Sequence, residues 1–165
     1  MAKPFKRAAP VCLLLTIVAL AGAVIGVLRS DPLVVIACLV PTVIYEVYRT
    51  EGVSTKWASW VLLLVLVAEI VLIVGDISVN VADILGSTQK TVAGYTVPLG
   101  DVKIVAPAIM AVLAVILFTR TRGRYTRWLA AIIFLGAFAI IYVLDPTIFA
   151  TVVRFGIEEG LEKVR

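Results

Sequence analysis

The sequence predicts an all-α integral membrane protein folded as a five-transmembrane-helix bundle. Two observations carry that expectation. Of the 165 residues, 62% are hydrophobic and 16% charged, whereas soluble domains run at roughly half apolar and about a quarter charged. Such a chain cannot keep a water-facing surface. The apolar residues also collect into five runs, about 11–28, 32–48, 57–75, 102–118 and 128–144. Each approaches the ~20 residues that carry a helix through a hydrocarbon core about 30 Å thick. Only helices and closed barrels satisfy every backbone polar group in lipid, and no ten-residue alternating pattern is present, so helices are expected.

Each element has its own chemistry. The first run follows Lys3, Lys6 and Arg7 and contains Gly22 and Gly26 flanked by Ala19 and Ala23. This small-xxx-small pattern allows close approach of another helix, inside the bundle or across an oligomer interface. Ala19-Leu20-Ala21 resembles a signal-peptidase site, and removal of residues 1–21 is the alternative. The run continues unbroken to Leu28, longer than a signal peptide needs, so a retained helix is expected. Arg29-Ser30-Asp31 is short enough to force a tight antiparallel pair, with Asp31 as N-cap and Pro32 at the first helical position. Gly52 marks a helix stop after the second run. Pro41 and Pro107 predict kinks or shifted boundaries, and Arg120, Arg122, Gly123 and Arg124 punctuate the last turn.

Residues 76–101 form the one long loop, expected outside. Its first part, Asp76 to Leu85, can extend helix 3, and Thr91 to Val105 reads as a small hairpin or loop. The tail, 145–165, places Phe149, Val153, Ile157, Leu161 and Val164 on one stripe with Glu158, Glu159 and Glu162 facing away. That pattern is an amphipathic helix for the outer leaflet, a partner or the bundle itself. The segment 1–144 is thus the transmembrane domain and 145–165 a C-terminal amphipathic helix.

Lys and Arg set the orientation. Nine of the 15 lie on the side of the N-terminus, in the 49–56 loop and in the 119–127 loop, which puts the N-terminus in the cytoplasm and the C-terminus outside. Tyr45, Tyr48, Trp57, Trp60, Tyr125 and Trp128 fall at the same interface as an aromatic belt. The cell (plasma) membrane is the expected location. The net charge of +4 reflects this flanking pattern and attraction to anionic lipid, so no nucleic-acid partner is expected. Cys12 and Cys38 lie at different depths and are expected to be free thiols.

The chemistry is mostly negative. With no histidine, imidazole triads and His-ligated metal sites are excluded. No metal spacing, activated nucleophile or phosphate loop appears, so no catalytic residue, metal or cofactor is expected and the chain is read as non-catalytic. The strongest candidate is an acidic line. Glu69 sits inside helix 3, Asp76 and Asp83 follow at intervals of seven, and Asn80 lies between them. If the helix continues, all four share a face, and an intramembrane acid points to an ion or proton path. Glu46 is weaker, three residues from the end of helix 2, where it can reach the interface and meet Arg49. Arg120, Arg122, Arg124 and Arg127 are candidate lipid head-group contacts, with 120, 124 and 127 sharing a face if helical.

Thr91-Val92-Ala93-Gly94-Tyr95-Thr96 departs from the potassium-channel filter pattern by an inserted Ala93 and by Thr96 in place of the second glycine. Leu99 to Arg127 is loosely similar to a span and arginine-rich loop of branched-chain amino-acid permeases, but Trp128 begins another span where the coupling loop should follow. Neither assigns a family. The first expectation is a small membrane subunit that works by association, with other membrane subunits or copies of itself as partners in the lipid bilayer. The alternative is a cation or proton channel or transporter built on the acidic line.

Overall fold

The computed structural model describes residues 8–50, 52–76, 89–92, 95–98, 102–121 and 123–147. They form α1 (Ala8–Arg29), α2 (Pro32–Arg49), α3 (Val53–Val74), β1 (Gln89–Val92), β2 (Tyr95–Pro98), α4 (Val102–Arg120) and α5 (Arg124–Leu144). All five helices are long and apolar enough to cross a membrane. At about 1.5 Å per residue the shortest, of 18 residues, covers about 27 Å and the longest, of 22, about 33 Å. α3 and α5 each begin about one turn before the corresponding apolar run. Hydropathy marks the hydrocarbon-crossing part, while helical hydrogen bonding continues into flanking Ser, Thr, Lys, Arg and Tyr.

The first turn is built from three residues. Ser30, at φ 52, is the left-handed residue that ends α1. Its N–H donates to Val27 O and that of Asp31 to Gly26 O, the paired bonds of a Schellman stop. Asp31 then caps α2, its Oδ1 accepting from Leu33 N at 2.9 Å, with Pro32 at the first helical position. Gly52 does not end α2. Thr50 is that C-cap, and Gly52, at φ 110, stands before the first turn of α3, where its carbonyl accepts from Lys56 N. Pro41 and Pro107 lie inside α2 and α4 and shift no boundary.

α1 packs on α2, α2 on α3, α3 on α4, α4 on α5 and α5 back on α1, while α2 also meets α5 across the middle. α2 and α5 are therefore the inner helices. On α2, Val35, Ile36, Leu39, Thr42, Val43 and Glu46 are buried; on α5, Leu129, Ile133, Gly136, Ala137 and Ile140 line the facing stripe. Leu39 of α2 lies over Gly136 of α5. Outside, Leu13, Leu14, Ile17, Val24, Leu64, Val71 and Val112 stand exposed. Lipid is as apolar as these side chains, so packing between helices holds the bundle rather than escape from water.

Gly22 and Gly26 are absorbed into the α1–α2 contact. A Cβ at Gly22 would run into Cys38 Cβ and lie 2.6 Å from its Sγ, and one at Gly26 would run into Val35 Cγ2. Ala19, in the cleavage-like triplet, is buried in mid-helix. Cys12 and Cys38 are free thiols. β1 and β2 pair antiparallel, with Val92 opposite Tyr95, so two residues connect them. The hairpin ends at Pro98, and Val102–Val105 belong to α4. The tail from 148 lies outside the described residues.

Candidate functional site

The turns α2–α3 and α4–α5 share one end of the bundle with the start of α1. It carries Arg49, Lys56, Arg120, Arg124 and Arg127, and is called the basic end below. The belt aromatics divide there. Tyr48, Trp57, Trp60 and Trp128 are exposed, while Tyr45 and Tyr125 turn inward against Cys12, Leu15 and Leu129. Arg49 lies over the Tyr125 ring, 5.5 Å from its centroid, and its Nη1 donates to Tyr45 Oη at 3.5 Å.

Beside this cluster the bundle encloses a polar network centred on Glu46. Helix periodicity builds it. Thr42, Glu46 and Thr50 follow one another at intervals of four residues, and all three are buried, as are Thr55 and Ser59 on α3. Glu46 is 0% exposed and does not reach the interface. Thr50 Oγ1 donates to Glu46 Oε1 at 2.9 Å, and Thr50 N donates to Glu46 O at 2.8 Å. Ser59 Oγ is 3.1 Å from both Thr50 Oγ1 and Thr55 O, so its one proton serves one acceptor at a time. Among the described residues, Glu46 Oε2 and Thr42 Oγ1 have no hydrogen-bond partner. A buried carboxylate with an open oxygen has chemistry to offer: it holds a proton, or it ligates a cation together with the hydroxyls around it. One carboxylate and neutral oxygens suit a single positive charge. No group of three His, Cys, Asp or Glu able to hold a metal occurs among the described residues.

A groove of about 430 Å³ between α2 and α3 runs up to this network. Ile44, Val47, Tyr48, Lys56, Trp60 and Leu63 line it together with Thr50, the residue whose hydroxyl donates to Glu46.

Glu69 is the second buried carboxylate, also 0% exposed. It lies on the stripe Thr55, Ser59, Leu62, Leu66, Glu69, whose alternating spacing of four and three is the inward seam of α3. Ten residues, about 15 Å of axial rise, separate it from Ser59. Leu62 and Leu66, both fully buried, fill the interval.

The common face expected for the acidic line stops at the end of α3. α3 ends at Val74, and Asp76, at φ 45, has left the helical conformation. Its Oδ1 accepts from Lys103 Nζ at 2.9 Å, which joins the end of α3 to the start of α4. That hydrogen bond, helped by the ammonium charge, holds the Asp76 carboxyl below the usual carboxylate range. Asn80 and Asp83 lie outside the described residues.

The arginines are similarly divided. Arg120 ends α4 and Arg124 begins α5, so Arg120, Arg124 and Arg127 do not share one helix face. Arg127 Nε donates to Thr121 O at 2.7 Å and closes the turn. Arg122 lies outside the described residues. The Glu46 network had a legible signal that charge alone does not give: polar residues one turn apart (42, 46, 50; 55, 59) interrupting otherwise apolar runs.

Five helices long and apolar enough to cross a membrane are those of a membrane protein, compatible with a multi-pass one. No protein-family model, curated protein or solved structure matches the chain.

Proposed function

We propose that the protein handles a proton or monovalent cation within the membrane, bound at Glu46. One observation carries this: Glu46 is fully buried inside a membrane-crossing helix, with one carboxylate oxygen held by Thr50 and the other open. Thr50 lines the α2–α3 groove and supplies the approach from the basic end. Glu69, beyond the Leu62–Leu66 layer, is the second station, so passage requires that layer to hydrate or repack. Nine of the 15 Lys and Arg favour a cytoplasmic basic end and N-terminus, with the C-terminal amphipathic segment outside, in the plasma membrane. The association reading has weaker support. The Gly22/Gly26 surface is occupied by α2.

Flux in proteoliposomes tests the proposal. Imposed pH and sodium gradients should each be compared between wild type, Glu46→Gln, Glu69→Gln and Asp76→Asn. Wild type is expected to dissipate one gradient, both glutamine variants to lose that flux while keeping helical content, and Asp76→Asn to retain it. Wild-type flux no greater than that of protein-free vesicles, or full flux in folded Glu46→Gln, overturns the proposal.

A further inference from the structure

A second groove, of about 430 Å³, opens between the end of α4 and the first two turns of α5. It is lined by Phe118, Arg124, Arg127, Trp128, Ala131 and Ile132. Its composition is graded along the helix axis. Arg124 stands at the basic end; Arg127 and Trp128 follow one turn deeper, and Ala131 and Ile132 after another. From Arg124 to Ile132 the axial rise is about 12 Å, from the membrane edge into the hydrocarbon band. A charged mouth thus continues directly into an apolar floor.

Both polar walls are held in place. The Trp128 indole N–H donates to Thr16 Oγ1 of α1 at 2.9 Å, which fixes the ring against the bundle. Arg127 gives its Nε–H to Thr121 O, one of the five donors of a guanidinium, so the fork is positioned while its terminal groups stay at the mouth. Arg124 is exposed, and among the described residues no acidic one lines the groove. We infer that this groove seats one anionic phospholipid, its phosphate between Arg124 and Arg127 and an acyl chain along Phe118, Ala131 and Ile132. Charge complementarity selects the occupant. Guanidinium forks match phosphate oxygens geometrically, and a bilayer-embedded apolar floor excludes a ligand arriving from water. The site is independent of Glu46.

The test uses the full chain purified in a neutral detergent. Thermal unfolding is followed while phosphatidylglycerol, phosphatidylcholine of identical chains, or inorganic phosphate is added, and native mass spectrometry counts retained lipid. Phosphatidylglycerol is expected to raise Tm with one tightly held molecule, and the other two to do little. Arg124→Gln, a surface change, should weaken phosphatidylglycerol about tenfold, the scale of one charge-assisted contact. Ala131→Trp should abolish the effect by filling the floor with both arginines intact. Lys56→Gln, at the same end but outside the groove, should leave it unchanged. Equal stabilisation by phosphatidylcholine or by phosphate alone overturns the inference, as does undiminished phosphatidylglycerol binding by Arg124→Gln.

Discussion

The contact between Gly22 and Cys38 gives the bundle its most sharply defined test. In Gly22→Ala the added methyl meets Cys38 Cβ and lies 2.6 Å from Sγ. Cβ is fixed to its backbone, so rotating the Cys38 side chain relieves only the sulfur contact. The helices must separate instead. Overpacking of this kind costs about 1–3 kcal/mol, and the absence of a rotamer escape places this site at the upper end. Alanine's better helix propensity returns about 1 kcal/mol. The net expectation is a loss of about 2 kcal/mol, near 30-fold in the folding equilibrium. Cys38→Gly empties the same space from the other side, so in the double variant the new methyl occupies the vacated volume. The two sites should couple by about 3 kcal/mol in favour of the pair, the whole overpacking cost, because the propensity gain is common to both backgrounds. Reversible unfolding in mixed micelles, titrated with a denaturing detergent and read by circular dichroism, supplies the four free energies. If Gly22→Ala lies within about 0.5 kcal/mol of wild type, or if the two changes simply add, the close α1–α2 approach is wrong.

Two further outcomes follow from the polar contacts. Thr50→Val removes the donor to Glu46 Oε1 and should destabilise the bundle by about 1–3 kcal/mol, the cost of a stranded buried acceptor, in the same micelle assay; a neutral result would mean that Glu46 is satisfied by other means. For Asp76, the sign follows from a folded-state carboxyl held below its unfolded value by Lys103. The stabilisation is present above the unfolded carboxylate pKa of about 3.9 and disappears as pH falls through the lower folded value. Asp76→Asn should therefore remove the part of the acid-dependent loss of stability that wild type shows below about pH 4; an unchanged acid limb would show that the ion pair with Lys103 contributes nothing.

Much of the architecture was legible because lipid makes its demands locally. Every backbone group must be bonded within its own segment, so a run of apolar residues at the right length already specifies a helix. The Arg29-Ser30-Asp31 turn was equally readable, since Asp31 and Pro32 are the chemistry of a helix start. The candidate site was read only in part. Glu69 stood out as a charge inside an apolar run, whereas Glu46 looked like an interfacial residue because it lies three positions from a helix end. Depth follows from position along a helix, but direction does not.

Composition and periodicity therefore determined, without the fold, that five helices are long and apolar enough to cross a membrane, and where they start and stop to within about a turn. Only the tertiary structure decided which faces meet. It turned Glu46 inward onto Thr50, which Ser59 meets in turn, closed α2 over Gly22 and Gly26, ended α3 at Val74 before Asp76, and placed Arg120 and Arg124 on different helices. The physical reason is that lipid and helix neighbours are almost equally apolar. Hydrophobicity tells a membrane helix that it must be buried in the bilayer, and only the shapes and hydrogen bonds of its neighbours tell it which side faces them.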